Sequence, residues 1–92
     1  MHDLENSRFY GENGWIYLSK AQNIILDVLI RNKDCWVSYK KLIKAVYGLN
    51  DDKYLKMNIE THIYRLKLRL KDEVKIVNRK NLGYMLEGST NE

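Results

Sequence analysis

The segment KMNIETHIYRLKLRL, residues 56–70, decides the fold of this chain. At 3.6 residues per turn, its apolar residues fall on one side of a helix and predict a buried stripe of Ile59, Ile63, Leu66 and Leu70. The other side carries cations, an aromatic ring and methyl groups, which a helix that only fills a core does not need. Side chains of these kinds suit base edges and phosphates in a DNA major groove. This outward surface, with its flanks, comprises Met57, Asn58, Thr61, His62, Tyr64, Arg65, Lys67, Leu68 and Arg69.

The positive charge lies mainly in the second half of the chain. The 92 residues contain 16 Lys and Arg against 12 Asp and Glu, a formal net charge of +4. Residues 53–80 hold nine of these cations and three of the acids, a local charge of +6, so the remainder nets −2. A local excess of this kind indicates a polyanionic partner, and a solvated lysine surface is the alternative.

Most other functional classes lack their characteristic residues here. Cys35 is the single cysteine, which excludes an intramolecular disulfide and, with two distant histidines, offers no metal-binding spacing. No apolar run approaches the roughly 20 residues that span a bilayer, and the first residues lack a signal-peptide segment. Neither a nucleophile–base pair nor a phosphate-binding glycine loop is present. We therefore predict a cytoplasmic protein without membrane contact that is not an enzyme and needs no metal or cofactor.

The first half of the chain reads as a hairpin followed by two helices. A turn-rich quartet separates the two strands, and each helix begins at a serine cap. The predicted elements are strands at Arg8–Tyr10 and Trp15–Leu18, a helix from Ser19 to about Asn32, a short strand at Trp36-Val37, and a helix from Ser38 to about Tyr47. The predicted buried residues of the helices are Ala21, Ile24, Ile25, Val28, Leu29, Leu42, Ile43 and Val46.

The second half reads as the basic helix followed by a second hairpin. The helix is expected from about Leu55 to Leu70, after a polar connection that begins at Gly48. The last two strands, Val74–Asn78 and Tyr84–Leu86, turn through residues 79–83, which bring Arg79 and Lys80 to the tip. Residues 88–92 are expected to fray.

Four further side chains are assigned to the core by residue type. Trp15, Trp36 and Tyr47 are expected to be core aromatics, and Cys35 a small apolar filler. Tyr84 is expected to anchor the second hairpin to the body rather than to touch a ligand.

The element order is therefore hairpin, helix, helix, helix, hairpin, in one domain that covers residues 1–92. Two adjacent helices of which the second is basic make a helix-turn-helix, and a basic hairpin beside them makes a winged helix. The fold class predicted is α+β, a winged helix-turn-helix with an N-terminal β-hairpin, three helices and a C-terminal wing. Residues 1–18 form its partial N-terminal β-segment.

From Leu18 onward the chain resembles the OmpR/PhoB-type effector domain of bacterial two-component response regulators. The resemblance rests on five sequence motifs that occur in the order and spacing of the family. These motifs lie in three segments, LSKAQNIILDVLIRNKDCWVSYKKLIKAVYG, IETHIYRLKLRL and IVNRKNLGYML. It covers about four-fifths of the chain and implies sequence-specific binding of double-stranded DNA in transcriptional control. In this family the third helix reads the major groove and the wing contacts the minor groove or the backbone.

The resemblance also implies roles for single residues. His62 and Arg65 stand where the family has a histidine and an arginine that face DNA, and Lys67 replaces a usual arginine. Lys80 stands at the wing's usual arginine, and Gly83-Tyr84 is the wing's closing pair. The outward residues of the basic helix, with Arg79 and Lys80, are thus the predicted DNA-binding set.

Three positions depart from the family pattern. Met57 and Leu68 stand where many members have a cation, and Asn81 replaces a common wing glycine. These changes make the exposed face of the basic helix more apolar. They keep open an alternative in which the winged helix is a protein-interaction module without specific DNA binding.

The resemblance extends to partners. The loop Gly48–Leu55 occupies a segment that touches RNA polymerase in some members. A receiver domain is expected as a partner if the chain is the C-terminal piece of a longer regulator, which its abrupt start favours over a naturally short protein. The free domain is expected to be a monomer, because it shows no heptad repeat.

Overall fold

The computed structural model describes residues 1–49 and 53–88 as two antiparallel sheets separated in sequence by three helices. The elements in chain order are strands β1 (His2–Asp3), β2 (Arg8–Gly11) and β3 (Gly14–Tyr17), helices α1 (Lys20–Arg31), α2 (Tyr39–Tyr47) and α3 (Lys53–Leu70), and strands β4 (Lys75–Arg79) and β5 (Gly83–Glu87). A single 3-10 turn, Lys71–Glu73, follows α3. The predicted α+β winged helix-turn-helix is confirmed, with α3 starting two residues earlier than expected.

The caps act as the sequence predicted. The Ser19 side chain accepts the Gln22 amide while Gln22 reaches back to the Ser19 amide, which completes the capping box of α1. Ser38 accepts the amide of Lys41 at the start of α2. Gly48 ends α2 in the left-handed conformation, at φ 70°.

The N-terminal sheet has one strand more than the sequence predicted. Strand β1 pairs with β2, giving the order β1-β2-β3. Asn23, which is buried on α1, ties this strand to the helices. Its side-chain nitrogen donates to the Leu4 carbonyl at 2.9 Å, and its oxygen lies 2.6 Å from Nε2 of His2. A polar residue on the inner side of α1 thus stabilises a strand of only two residues.

Trp15 lies on the outer face of this sheet, so its assignment to the core was wrong. In the β2–β3 register Tyr10 pairs with Trp15, and Phe9 pairs with Ile16. Side chains alternate across a strand, so the burial of Phe9 turns Tyr10 and Trp15 outward. Trp15 is 39% exposed, and the Arg8 guanidinium lies 3.8 Å above its ring.

The core lies where the helices and both sheets meet. Its fully buried side chains are Ile25, Leu26, Leu29, Val37, Leu42, Ile43, Ile59, Ile63, Leu66 and Leu70. Leu26 was not predicted, whereas Ala21, Ile24 and Val46 are only half-buried. Helix α1 contacts α2, α3 and β5, so it buries a wider surface than a single stripe.

Several other residues differ in burial or secondary structure from the prediction. Cys35 is exposed in the turn after α1, so it is not a core filler, and Trp36 and Tyr47 are half-buried. Val37 forms an isolated bridge with Tyr84 in place of a short strand. Gly88, expected to begin a frayed tail, donates its amide to Oδ1 of Asp34 at 2.6 Å, and residues 89–92 lie outside the described residues.

Candidate nucleic-acid interface

Helix α3 has the two faces that its periodicity predicted. Four apolar residues, Ile59, Ile63, Leu66 and Leu70, are at most 1% exposed. The burial of this stripe turns the opposite face to solvent, where Met57, Tyr64 and Leu68 are 61%, 63% and 56% exposed. All the predicted α3 contacts except His62 are exposed: Met57, Asn58, Thr61, Tyr64, Arg65, Lys67, Leu68 and Arg69.

The cations on this face are not neutralised within the described part of the chain. Ion pairs there join Arg8 to Asp3, Arg31 to Asp27 and Lys75 to Glu87, and none of them includes a residue of α3. Glu60, the acid nearest in sequence to Arg65, is instead within 3.3 Å of the Tyr39 hydroxyl. Arg65, Lys67 and Arg69 therefore keep their charge and donors for an external anion or base edge.

His62 differs from its neighbours on α3 because its ring is held inside the protein. Its Nε2 atom lies 3.1 Å from the hydroxyl of Tyr47, at the end of α2. Partial burial, and then the nearby Arg65 charge, lower the pKa of His62 below its usual range. A neutral imidazole that already has one partner fixes α2 to α3, and it adds no full positive charge to the exposed face.

The wing presents its two cations in different ways. The Arg79 guanidinium lies 5.8 Å from the centre of the Trp36 ring, so the side chain is drawn toward the body. Lys80 is exposed in the turn between β4 and β5. Asn81 has a φ of 73°, a left-handed conformation that asparagine tolerates better than most residues. Asparagine is therefore compatible with a position at which the family resemblance expects glycine.

The base of the wing is fixed to the segment that precedes α2. The Val37 amide donates to the Tyr84 carbonyl at 2.7 Å, and the Tyr84 amide donates to the Val37 carbonyl at 3.0 Å. Gly83 has a φ of 109°, and a Cβ atom there would approach the Val37 carbonyl oxygen to 2.0 Å. Tyr84 is only 7% exposed, which confirms that it anchors the wing, and its burial raises the pKa of its hydroxyl well above the usual range.

Leu68 lines an open groove beside α3. The groove has a volume of about 620 Å³ and runs between α3 and the junction of β3 with α1. Its lining residues are Tyr17, Leu18, Ser19, Gln22, Arg65, Leu68 and Arg69. Leu68 therefore belongs to a mixed apolar and cationic surface rather than to a purely cationic one.

Two residues near the interface were not predicted. Tyr39 touches α3 and both wing strands, and Lys56 places its Nζ 4.6 Å from the centre of the Tyr39 ring. The sequence signal for Lys56 was its charge within the basic helix. Tyr39 gave no comparable signal, because its partners are distant in sequence.

The described residues form neither a metal cluster nor a membrane-spanning helix. Within residues 1–49 and 53–88, no three His, Cys, Asp or Glu side chains converge as a metal site would require. In the same part of the chain, no helix has the length and apolar character needed to cross a membrane.

A solved structure has the same fold. The crystal structure of the DNA-binding domain of Bacillus subtilis CssR superimposes with a TM-score of 0.81 over 94% of this chain and 97% of that one. The two sequences are 21% identical, so the likeness establishes the winged-helix fold.

Two regulatory proteins share more of the sequence. A putative epidermin response regulator of Staphylococcus epidermidis is 34% identical over an alignment of 87 residues that covers 91% of this chain and 42% of the relative. The transcriptional regulatory protein DltR of Streptococcus agalactiae is 30% identical over 91 residues, 97% of this chain and 38% of the relative. The chain thus spans less than half the length of these relatives.

The sequence profile of the family described as "Transcriptional regulatory protein, C terminal" matches residues 11–86. This match includes all three helices, β3, β4 and all but the last residue of β5, and it begins at the last residue of β2. It confirms the predicted resemblance and the predicted role in DNA binding for transcription regulation, and it does not favour the interaction module. The chain belongs to the family of OmpR/PhoB-type C-terminal DNA-binding domains of transcriptional regulatory proteins.

Proposed function

We propose that the exposed face of α3 reads base edges in a DNA major groove while Lys80 of the wing contacts the backbone or the minor groove. The observation that carries this proposal is the exposed face of α3, whose cations have no acidic partner in the described chain. An arginine can form two hydrogen bonds to one guanine, whereas lysines act on phosphates as point charges.

The individual roles follow from position on α3 and in the wing. Arg65 projects from the outward face and is the principal base-reading residue. Lys67, Arg69 and Lys80 bind phosphates and set the register, since phosphate contacts position a protein without reading sequence. The remaining exposed residues complete the surface: Met57, Asn58, Thr61, Tyr64, Leu68 and Arg79.

His62 supports this surface through a contact inside the protein. Its contact with Tyr47 orients α3 on α2. Its other ring nitrogen is proposed to meet a phosphate through a hydrogen bond, and burial lowers the pKa of His62 in the free protein.

The same proposal places the domain in a larger regulator. The relatives carry more than half of their length outside the matched segment, and the name of the first identifies it as a response regulator. We infer that the chain acts in the cytoplasm as the output domain of such a protein, under the control of a receiver domain. RNA polymerase is the further partner proposed for the segment Gly48–Leu55, of which residues 50–52 lie outside the described residues.

The experiment that tests the proposal is the salt dependence of binding to a duplex selected by this chain from a random-sequence library. Contacts of Lys67, Arg69 and Lys80 to about three phosphates predict a slope near −2.7 in log affinity against log salt, and a loss of about 40-fold between 50 and 200 mM salt. The variant Lys33→Ala, which removes a lysine outside α3 and the wing, is the control and should keep that slope. A chain that selects no duplex, or binds with a slope near zero, would support the interaction module instead.

A further inference from the structure

The side chain of Tyr39 joins three elements that are separate in sequence. Tyr39 is the first residue of α2, and its hydroxyl oxygen lies 3.3 Å from Oε2 of Glu60 on α3. The same oxygen lies 3.4 Å from the hydroxyl of Tyr84 on β5 and 3.5 Å from the side-chain nitrogen of Asn78 on β4. One hydroxyl therefore connects the third helix to both strands of the wing.

The hydrogen-bonding capacity of the four groups allows only one consistent arrangement. A tyrosine hydroxyl has one proton and two lone pairs, and an ionised carboxylate only accepts. The Tyr39 proton therefore goes to Glu60, while Tyr84 and the Asn78 amide donate to the two lone pairs of Tyr39. Tyr84 keeps its proton for this purpose, because burial raises the pKa of its hydroxyl. Each of the three neighbours thus meets a different proton or lone pair of the Tyr39 hydroxyl, and no proton is used twice.

Packing holds the Tyr39 ring in place around this junction. The Tyr39 and Tyr84 rings meet edge to face, with centroids 5.4 Å apart and planes at 72°. Lys56 of α3 places its Nζ 4.6 Å from the centre of the Tyr39 ring. The second proton of the Asn78 amide group donates to the Gly83 carbonyl at 2.8 Å, which links the junction to the turn of the wing.

We propose that Tyr39 is a positioning residue for DNA binding, whose hydroxyl fixes the wing relative to α3. The two elements that contact DNA in the proposed function lie on opposite sides of this junction. Backbone bonds between Val37 and Tyr84 hold the base of the wing on the segment that precedes α2, and apolar side chains of the wing share the core with α3. The Tyr39 hydroxyl adds directional polar contacts between α3 and both wing strands, so it adjusts the angle at which Lys80 meets the duplex while α3 occupies its groove.

The test is a double-mutant cycle between Tyr39→Phe and Lys80→Ala, read on a duplex that the wild-type chain selects from a random library. Phenylalanine keeps the ring contacts with Tyr84 and Lys56 and removes only the hydroxyl. We expect Tyr39→Phe to weaken binding about fivefold. We also expect the loss caused by Lys80→Ala to shrink to less than about twofold in the Tyr39→Phe background, since a displaced wing makes no contact to lose.

Matched controls separate positioning from a general loss of stability. Tyr10→Phe removes an exposed tyrosine hydroxyl from the N-terminal sheet and should leave both affinity and the Lys80→Ala effect unchanged. Residual dipolar couplings of the free protein supply a second readout. The couplings of the wild-type chain should fit the wing and α3 in the orientation of the structure, whereas those of Tyr39→Phe should require a wing that is rotated relative to α3.

The proposal is overturned if Lys80→Ala costs the same in both backgrounds, or if the couplings of the variant still fit the wild-type orientation of the wing. If Tyr39→Phe does not fold, Glu60→Ala takes its place in the same cycle, because it removes the contact of the junction with α3, and the same loss of coupling is expected. The inference rests on the proposed function, and the two fail in different ways. Failure of the proposed function appears as wild-type binding that neither Arg65→Ala nor Lys80→Ala weakens, whereas failure of the inference leaves both of those losses intact.

Discussion

The side chains of Tyr47 and His62 meet at the end of α2, with the tyrosine hydroxyl 3.1 Å from Nε2 of the histidine. The pKa of His62 is lowered, first by burial and then by the charge of Arg65. The native protein therefore binds a proton at His62 more weakly than the unfolded chain does, for which the ordinary value is 6.5. Hence the contribution of His62 to stability is present above about pH 6.5 and is lost as the pH falls below it.

Replacement of His62 with glutamine should remove this pH dependence. Thermal unfolding followed by circular dichroism between pH 5 and 8 should show a steeper loss of stability below about pH 6.5 in the wild-type chain than in His62→Gln. The two curves should run parallel above pH 7, which serves as the internal control. An identical loss in both proteins on acidification would mean that the native environment does not disfavour the charged ring.

Lys80 should act on affinity rather than on sequence preference. Because it sits exposed in the wing turn, Lys80→Ala should weaken binding to all duplexes similarly and make the salt slope shallower by about one unit. Lys75→Ala is the matched control in the same hairpin, since Lys75 already pairs with Glu87 at 3.3 Å. Titrations at several salt concentrations measure both slopes. A loss confined to the selected duplex would assign base reading to the wing.

Gly83 and Gly14 offer a comparison of two glycines with nearly equal backbone angles, at φ 109° and 111°. Alanine at either position incurs the cost of a positive φ, about 1–2 kcal/mol. Only at Gly83 does the new Cβ meet the Val37 carbonyl oxygen, whereas no atom lies within 4 Å at Gly14. Gly83→Ala should therefore destabilise the protein by about 1–3 kcal/mol more than Gly14→Ala. Equal urea midpoints for the two variants would show that the wing base is not packed against Val37.

The free domain should sediment as a monomer. Leu68 and Tyr64 are exposed on α3, but they share this surface with Arg65, Lys67 and Arg69, and like charges disfavour self-association there. Sedimentation equilibrium without DNA measures the state directly. A tight dimer that Leu68→Gln dissociates would contradict the expectation and assign Leu68 to a protein interface.

Sequence patterns correctly predicted the features that depend on residues close together in the chain. The buried stripe of α3, the serine caps of α1 and α2 and the glycine that ends α2 each depend on residues within a few positions of one another. These features appear in the structure as expected, apart from shifts of one or two residues at element ends.

Several features that depend on residues distant in the chain were not predicted. Trp15 faces solvent because the register of β2 with β3 and the burial of Phe9 decide the orientation of the hairpin, and both faces of that hairpin carry aromatic residues. The strand β1 depends on Asn23, 20 or more positions away. The Tyr39 junction is formed by residues of α2, α3 and the wing, so nothing near Tyr39 in the sequence indicates it.

The candidate site likewise contains features that neighbouring residues determine and features that distant residues determine. Periodicity placed the exposed residues of α3 correctly, because the buried stripe determines the opposite face. The internal partner of His62 and the position of Arg79 near Trp36 arise from tertiary packing, and they separate these two residues from the freely exposed cations.

Arg65 on α3 is proposed to read base sequence, and the ratio of affinities for the selected duplex and a scrambled one measures that reading. Arg65→Ala should lose about 1–3 kcal/mol on the selected duplex and relax discrimination at one base position. Arg65→Lys keeps the charge without the two-pronged donor, so it should retain the salt slope and still lose much of the ratio. If the ratio for Arg65→Ala equals that of the wild-type chain, Arg65 does not read the sequence and the assignment of α3 as the reading helix is wrong.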